Sequence, residues 1–211
     1  MTDTAPHKPN PIPNLLTGLR LVAGVIMFLM LAGAMGGVPI LSAYLSPDDQ
    51  FALYKAAFVF FVVASITDWI DGFLARRWHA ESHWGAILDP IADKILVAGA
   101  IVGLLASGAS AAVVIPFGLI LFREFAVSAL RETTAGRIQL KVTTLAKWKT
   151  TLQMVAIGAQ LLILAGGETF IEAPWMPIYT DIADALVWLA AIVTLWTGWQ
   201  YFSKAREGLK E

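Results

Sequence analysis

Six apolar stretches, at about residues 15–36, 52–77, 84–107, 111–130, 148–166 and 182–203, run through the chain, each close to the length of a bilayer-crossing helix. A water-soluble fold of 211 residues has no core large enough to hide six such segments. The pattern therefore predicts an all-α integral membrane protein with six transmembrane helices. Composition agrees, since 57% of residues are hydrophobic and only 15% are charged, against roughly a quarter charged in soluble domains. The chain has no cysteine, which excludes a disulfide scaffold and a cysteine-ligated zinc or iron–sulfur site. A net charge of −1 supplies no global field for nucleic acid, so no nucleic-acid partner is expected and any charge-based chemistry is local.

Residues 1–13 hold four prolines and no apolar run. They read as a cytosolic or interfacial lead-in rather than a signal peptide, which needs an apolar centre and a small-residue cleavage site. Residues 14–211 read as one six-helix domain. Lys and Arg fix its orientation, because positive loop residues stay on the cytosolic side. Arg76 and Arg77, the run from Arg131 to Lys149, and Lys204, Arg206 and Lys210 fall in one set of connections and ends, while 37–50, 107–111 and 167–181 hold no base. Both termini are therefore expected in the cytosol, with a polar cleft opening on that side.

An ionised side chain inside an apolar helix costs several kcal/mol and marks a functional site by default. Asp68 and Asp71 lie three apart near the cytosolic end of the second helix, and Asp89 and Asp93 lie four apart near the start of the third. Each pair shares one helix face, and a short turn places all four at one depth. Pairing with local bases, such as Asp71 with Arg76 or Asp89 with Lys94, would leave too many acids unmatched. Four converging carboxylates repel unless divalent cations neutralise them, and an all-oxygen donor set suits magnesium or manganese. Gly72, Ala75 and Gly85 keep the backbone beside the acids open to close approach by a nucleotide.

The segment Asp68-Trp-Ile-Asp71-Gly72-Phe-Leu-Ala75-Arg76, followed after eight residues by Gly85-Ala-Ile-Leu-Asp89-Pro-Ile-Ala-Asp93, resembles the signature of the CDP-alcohol phosphatidyltransferase family. The likeness runs from about Ile12 to Ala159. It implies transfer of a phosphatidyl group from CDP-diacylglycerol to an alcohol, with release of CMP. It further implies that Asp68, Asp71, Asp89 and Asp93 hold two divalent cations, Mg²⁺ or Mn²⁺, and that Asp93 takes the proton from the attacking hydroxyl. By the same likeness Asp68, Gly72, Ala75, Arg76, Ser82 and Gly85, with Asn14, Thr17 and Arg20 at the entry to the first helix, would bind CDP-diacylglycerol. A homodimer in the bacterial inner membrane, with its active site facing the cytosol, is what such a resemblance implies.

The acceptor has to be read elsewhere. Arg123-Glu124-Phe-Ala-Val-Ser128-Ala-Leu-Arg131-Glu132 and Lys147-Trp-Lys149-Thr150-Thr-Leu-Gln153-Met154 are similar to the branch of that family whose acceptor is sn-glycerol 3-phosphate. Val25 and Ala146 stand where that branch usually has proline and glycine. The phosphate of such an acceptor needs fixed positive charge, and Arg123, Arg131, Lys147 and Lys149 are the expected source. Arg137 and Lys141 read instead as topology-setting bases. Arg123 and Glu124 are neighbours about 100° apart on a helix, so each is expected to have its own partner.

Two other readings compete. The same chemistry could serve another acceptor, such as phosphatidylglycerol or inositol phosphate. The acids could instead line a cation pathway in a small transporter or channel, but that wants carboxylates spread through the bilayer, and these crowd one side. Most of the eight tryptophans fall near helix ends as an interfacial belt. His79 and His83 read as loop residues, and Asp181 and Asp184 as partners for the N-terminal dipole of the last helix.

Overall fold

A computed structural model describes residues 12–78, 83–134 and 144–208, with side chains over 15–40, 43–68, 70, 88–134 and 148–207. Among the described residues the chain is entirely helical: α1 (Ile12–Ala34), a single turn α2 (Pro39–Ser42), α3 (Pro47–Trp78), α4 (His83–Ala106), α5 (Ala111–Thr133), α6 (Thr144–Ile171) and α7 (Met176–Gly208). Five of the six long helices, α1, α3, α5, α6 and α7, are long and apolar enough to cross a membrane. The exception is α4, whose described part carries Asp89, Asp93 and Lys94. Its 24 residues still measure about 36 Å at 1.5 Å per residue.

The surface is that of a membrane protein. Large apolar side chains stand outward on every long helix, among them Leu15 on α1, Val63 on α3, Val102 on α4, Phe122 on α5, Val155 on α6 and Trp199 on α7. Phe122 is 76% exposed and Trp199 64%. In water such a belt would drive aggregation; lipid tails solvate it. The interior is built from Met27, Leu31, Phe61, Leu96, Ile101, Phe117, Ile120, Ile157 and Leu161, interleaved with many alanines.

Chain order does not set the packing. Among the described residues α3 and α4, neighbours in the chain, touch little, and α1 lies against both; α7 packs on α5 and α6, and α3 meets α6 across the middle. Small residues allow the α1–α4 contact: a Cβ on Gly24 would lie 3.2 Å from the Leu96 Cα. Close backbone approach of this kind is how helices associate where lipid removes the hydrophobic drive.

Two boundaries differ from expectation. The stretch 167–181 is not a long loop: α6 continues to Ile171 across a non-helical break at Gly167, and α7 starts at Met176. Asp181 and Asp184 therefore lie inside α7 rather than at its start. Asp184 accepts a hydrogen bond from Gln160 Nε2 at 2.7 Å, so it ties α6 to α7 and serves no helix dipole.

Candidate active site

The acids meet through α1. Arg20 is almost wholly buried, and its Nη1 lies 2.6 Å from Asp68 Oδ1 on α3 and 2.8 Å from Asp93 Oδ1 on α4. One turn earlier, the buried Thr17 hydroxyl donates to Asp89 Oδ1. Thr17 and Arg20 are three apart, so both project from one face of α1. That face is directed at the carboxylates because Gly24, four residues beyond Arg20, brings α1 onto α4. A guanidinium between two carboxylates offsets their mutual repulsion. The base that pairs Asp68 and Asp93 is Arg20, which lies far from both in sequence; Asp71 and Arg76, whose pairing the sequence raised, lie outside the residues with described side chains.

A small cavity of about 80 Å³ opens beside Asp93, with Lys94 on the same helix, Glu124 from α5, and Lys149, Thr150 and Gln153 from α6 on its walls. Glu124 Oε1 accepts from Lys149 Nζ at 2.5 Å and from Arg123 Nη1 at 3.1 Å. The neighbours Arg123 and Glu124 therefore do pair, contrary to the expectation from helix geometry. The long Arg123 side chain lets one guanidinium nitrogen reach back while the rest of the group points away.

That remainder is bound to α7. Arg123 Nε donates to the Thr194 carbonyl at 2.9 Å, and Nη2 donates to Thr197 Oγ1 at 3.0 Å. Gly198 makes this possible, since a Cβ there would lie 2.9 Å from Arg123 Cγ. Arg131 donates to the Tyr201 hydroxyl at 2.7 Å and lies 4.8 Å from the centre of that ring, a cation–π arrangement. Of the bases expected to meet the acceptor phosphate, Lys149 lines the cavity next to Asp93, while Arg123 and Arg131 face α7. Two cations, Lys149 and Arg123, share the single carboxylate of Glu124.

Ser82 lies outside the described residues, as do the side chains of Asn14, Asp71, Gly72, Ala75, Arg76, Gly85 and Lys147. No group of three metal-ligating side chains comes together among the described residues. Asp68 and Asp93 nevertheless both place a carboxylate oxygen within hydrogen-bond distance of one cationic nitrogen. Oxygen donors converging on a single positive centre fit a hard divalent cation. Glu124 and Gln153 both stand in the segments similar to the glycerol 3-phosphate branch, but the sequence assigned neither a role: Glu124 links two bases and Gln153 forms part of the cavity wall.

Comparison with known proteins places this geometry in context. The family model for CDP-alcohol phosphatidyltransferases matches residues 10–196. A Cereibacter sphaeroides protein named CDP-diacylglycerol–glycerol-3-phosphate 3-phosphatidyltransferase is 40% identical over 233 aligned positions, covering 95% of this chain and 97% of the relative. Proteins of the same name from Escherichia coli K12 and Shigella flexneri serotype 5b are 44% and 43% identical, each over 73% of this chain and 80% of the relative.

Proposed function

The chain belongs to the CDP-alcohol phosphatidyltransferase family, and from that premise we propose that it joins CDP-diacylglycerol to sn-glycerol 3-phosphate, forming phosphatidylglycerophosphate and CMP. The observation that carries this reading is the shared cavity: Asp93, a carboxylate fit to accept a proton, and Lys149, a cation fit to hold a phosphate, stand on its walls. The names of the relatives supply the two substrates.

In the reaction, the 1-hydroxyl oxygen of glycerol 3-phosphate attacks the phosphorus that carries diacylglycerol. A new P–O bond forms there, the P–O bond to CMP breaks, and the hydroxyl proton passes to Asp93. Arg20 prepares Asp93 for this role by holding its Oδ1 in place. Thr17 fixes Asp89 in the same way. Lys149 holds the acceptor phosphate, and Glu124 sets the position of the Lys149 ammonium. Arg123 and Arg131 act through α7, keeping α5 in register and adding positive potential. Lys147, two residues before Lys149, is the remaining phosphate partner. On the donor side, Asn14, Gly72, Ala75, Arg76, Ser82 and Gly85 bind the CDP moiety, with Arg76 on the diphosphate.

The family is in general dependent on divalent metal, and Asp68, Asp71, Asp89 and Asp93 are the residues that would hold two Mg²⁺ or Mn²⁺ ions. Such ions supply charge neutralisation of the diphosphate and stabilisation of the departing CMP. The chain is a membrane protein; its six long helices cross the bacterial inner membrane with both termini and the cavity on the cytosolic side, where water-soluble glycerol 3-phosphate is found and CMP is released, and two copies pair as a homodimer.

The test is CMP release by purified protein in detergent. Release is expected only when CDP-diacylglycerol, glycerol 3-phosphate and Mg²⁺ or Mn²⁺ are all present. Absence of CMP under those conditions would overturn the reading.

A further inference from the structure

Gln153 is 3% exposed, and its Oε1 accepts no hydrogen bond. A buried carbonyl oxygen left without a donor costs about 1–3 kcal/mol, and such groups in folded proteins usually have a partner or a role. Gln153 stands on the wall of the cavity that also holds Asp93 and Lys149. It follows Lys149 by four residues on α6, so the two share one helix face. The cavity, at about 80 Å³, is well below the roughly 300–1,000 Å³ of drug-sized ligand sites and suits a small hydroxylated fragment.

Resting on the function proposed above, we infer that Gln153 is a specificity residue that accepts a hydrogen bond from the 2-hydroxyl of the acceptor. With the phosphate at Lys149 and the 1-hydroxyl at Asp93, the middle carbon of a three-carbon acceptor faces the stretch of wall supplied by Gln153. Its hydroxyl is the one donor of the molecule not already engaged. The terminal torsion of glutamine is soft, so the carboxamide turns its oxygen to the incoming hydroxyl. An acceptor lacking that hydroxyl leaves the oxygen buried and unpaired, which is the strongest form of discrimination a small site can exert.

The experiment compares sn-glycerol 3-phosphate with 3-hydroxypropyl phosphate, which keeps the attacking hydroxyl and the phosphate but has no 2-hydroxyl. In the wild-type protein kcat/KM should favour glycerol 3-phosphate by about 10-fold or more, from the cost of an unpaired buried acceptor. In Gln153→Met, close in volume, the preference should collapse toward unity. A ratio taken on one preparation is insensitive to the fraction of folded protein, so a variant that is merely less stable lowers both rates and keeps the preference. A preference retained in Gln153→Met, or absent from the wild type, overturns the role of Gln153 while leaving the transferase reading intact. A wild-type protein that uses neither acceptor overturns the transferase reading and this assignment with it.

Discussion

Arg20 Nη1 donates to Asp93 Oδ1 at 2.8 Å, joining the first long helix to the carboxylate proposed to receive the proton. The same nitrogen lies 2.6 Å from Asp68 Oδ1, so a single buried guanidinium spans the seam between α3 and α4. Among the described residues those helices barely touch each other directly. The site is therefore assembled on α1, and its integrity depends on that helix as much as on the acids.

Replacing Arg20 by Met should leave two neighbouring carboxylates without their shared cation. Both are partly exposed, so the expected loss is about 2 kcal/mol, typical of hydrogen bonds to charged groups. Thermal unfolding in detergent should show a lower midpoint in chelator, partly restored by Mg²⁺ or Mn²⁺. A variant as stable as the wild type with and without metal would contradict the role given to Arg20.

Asp93→Asn removes the proton acceptor but keeps the shape of the side chain. Turnover should fall by about 10²–10⁴, the usual contribution of a positioned base. Binding of CDP-diacylglycerol, measured by ligand-induced thermal shift, should persist. Near wild-type turnover would eliminate Asp93 as the base.

The bases separate by what they touch. Lys149→Met should raise the KM for glycerol 3-phosphate about tenfold or more, since a charge-assisted contact is worth about 1.5–3 kcal/mol, with the KM for CDP-diacylglycerol little changed. Arg123→Met should chiefly lower the unfolding midpoint, because its guanidinium spends two hydrogen bonds on α7. Steady-state kinetics and melting curves on both variants check the division, and the reverse pattern would refute it.

Gly24→Val tests the link between helix packing and the site. Even a methyl at this position would lie 3.2 Å from the Leu96 Cα, so α1 must move off α4 at a cost of about 1–3 kcal/mol. Arg20 sits one helical turn away, so activity should fall together with stability. The matching change at Gly18, whose Cβ would meet nothing within 4 Å, should have little effect on stability.

Much of this was legible in the sequence. The lengths of the apolar stretches gave the long helices, and the spacing of Asp68, Asp89 and Asp93 marked the acids, because ionised groups stand out in an apolar helix. Arg20 was legible as a site residue but not as the cation between the acids, since its partners lie 48 and 73 positions away and no helical period links them. Asp184 was misplaced because Met176 and Ile178 extend α7 upstream of the expected start, which turns a supposed helix-end carboxylate into an interior one. Gln153 stands in a branch-like segment but carries no charge that would assign it a role, and only the cavity around it gives its buried oxygen a meaning.

The most direct measurement is a competition assay in which purified protein, CDP-diacylglycerol and Mg²⁺ receive equal concentrations of sn-glycerol 3-phosphate, inositol phosphate and phosphatidylglycerol. Mass spectrometry of the lipid product then reports the acceptor used. The expected result is phosphatidylglycerophosphate in large excess, formed in step with CMP. Cardiolipin or phosphatidylinositol phosphate as the main product, or CMP released without a new phospholipid, would contradict the account.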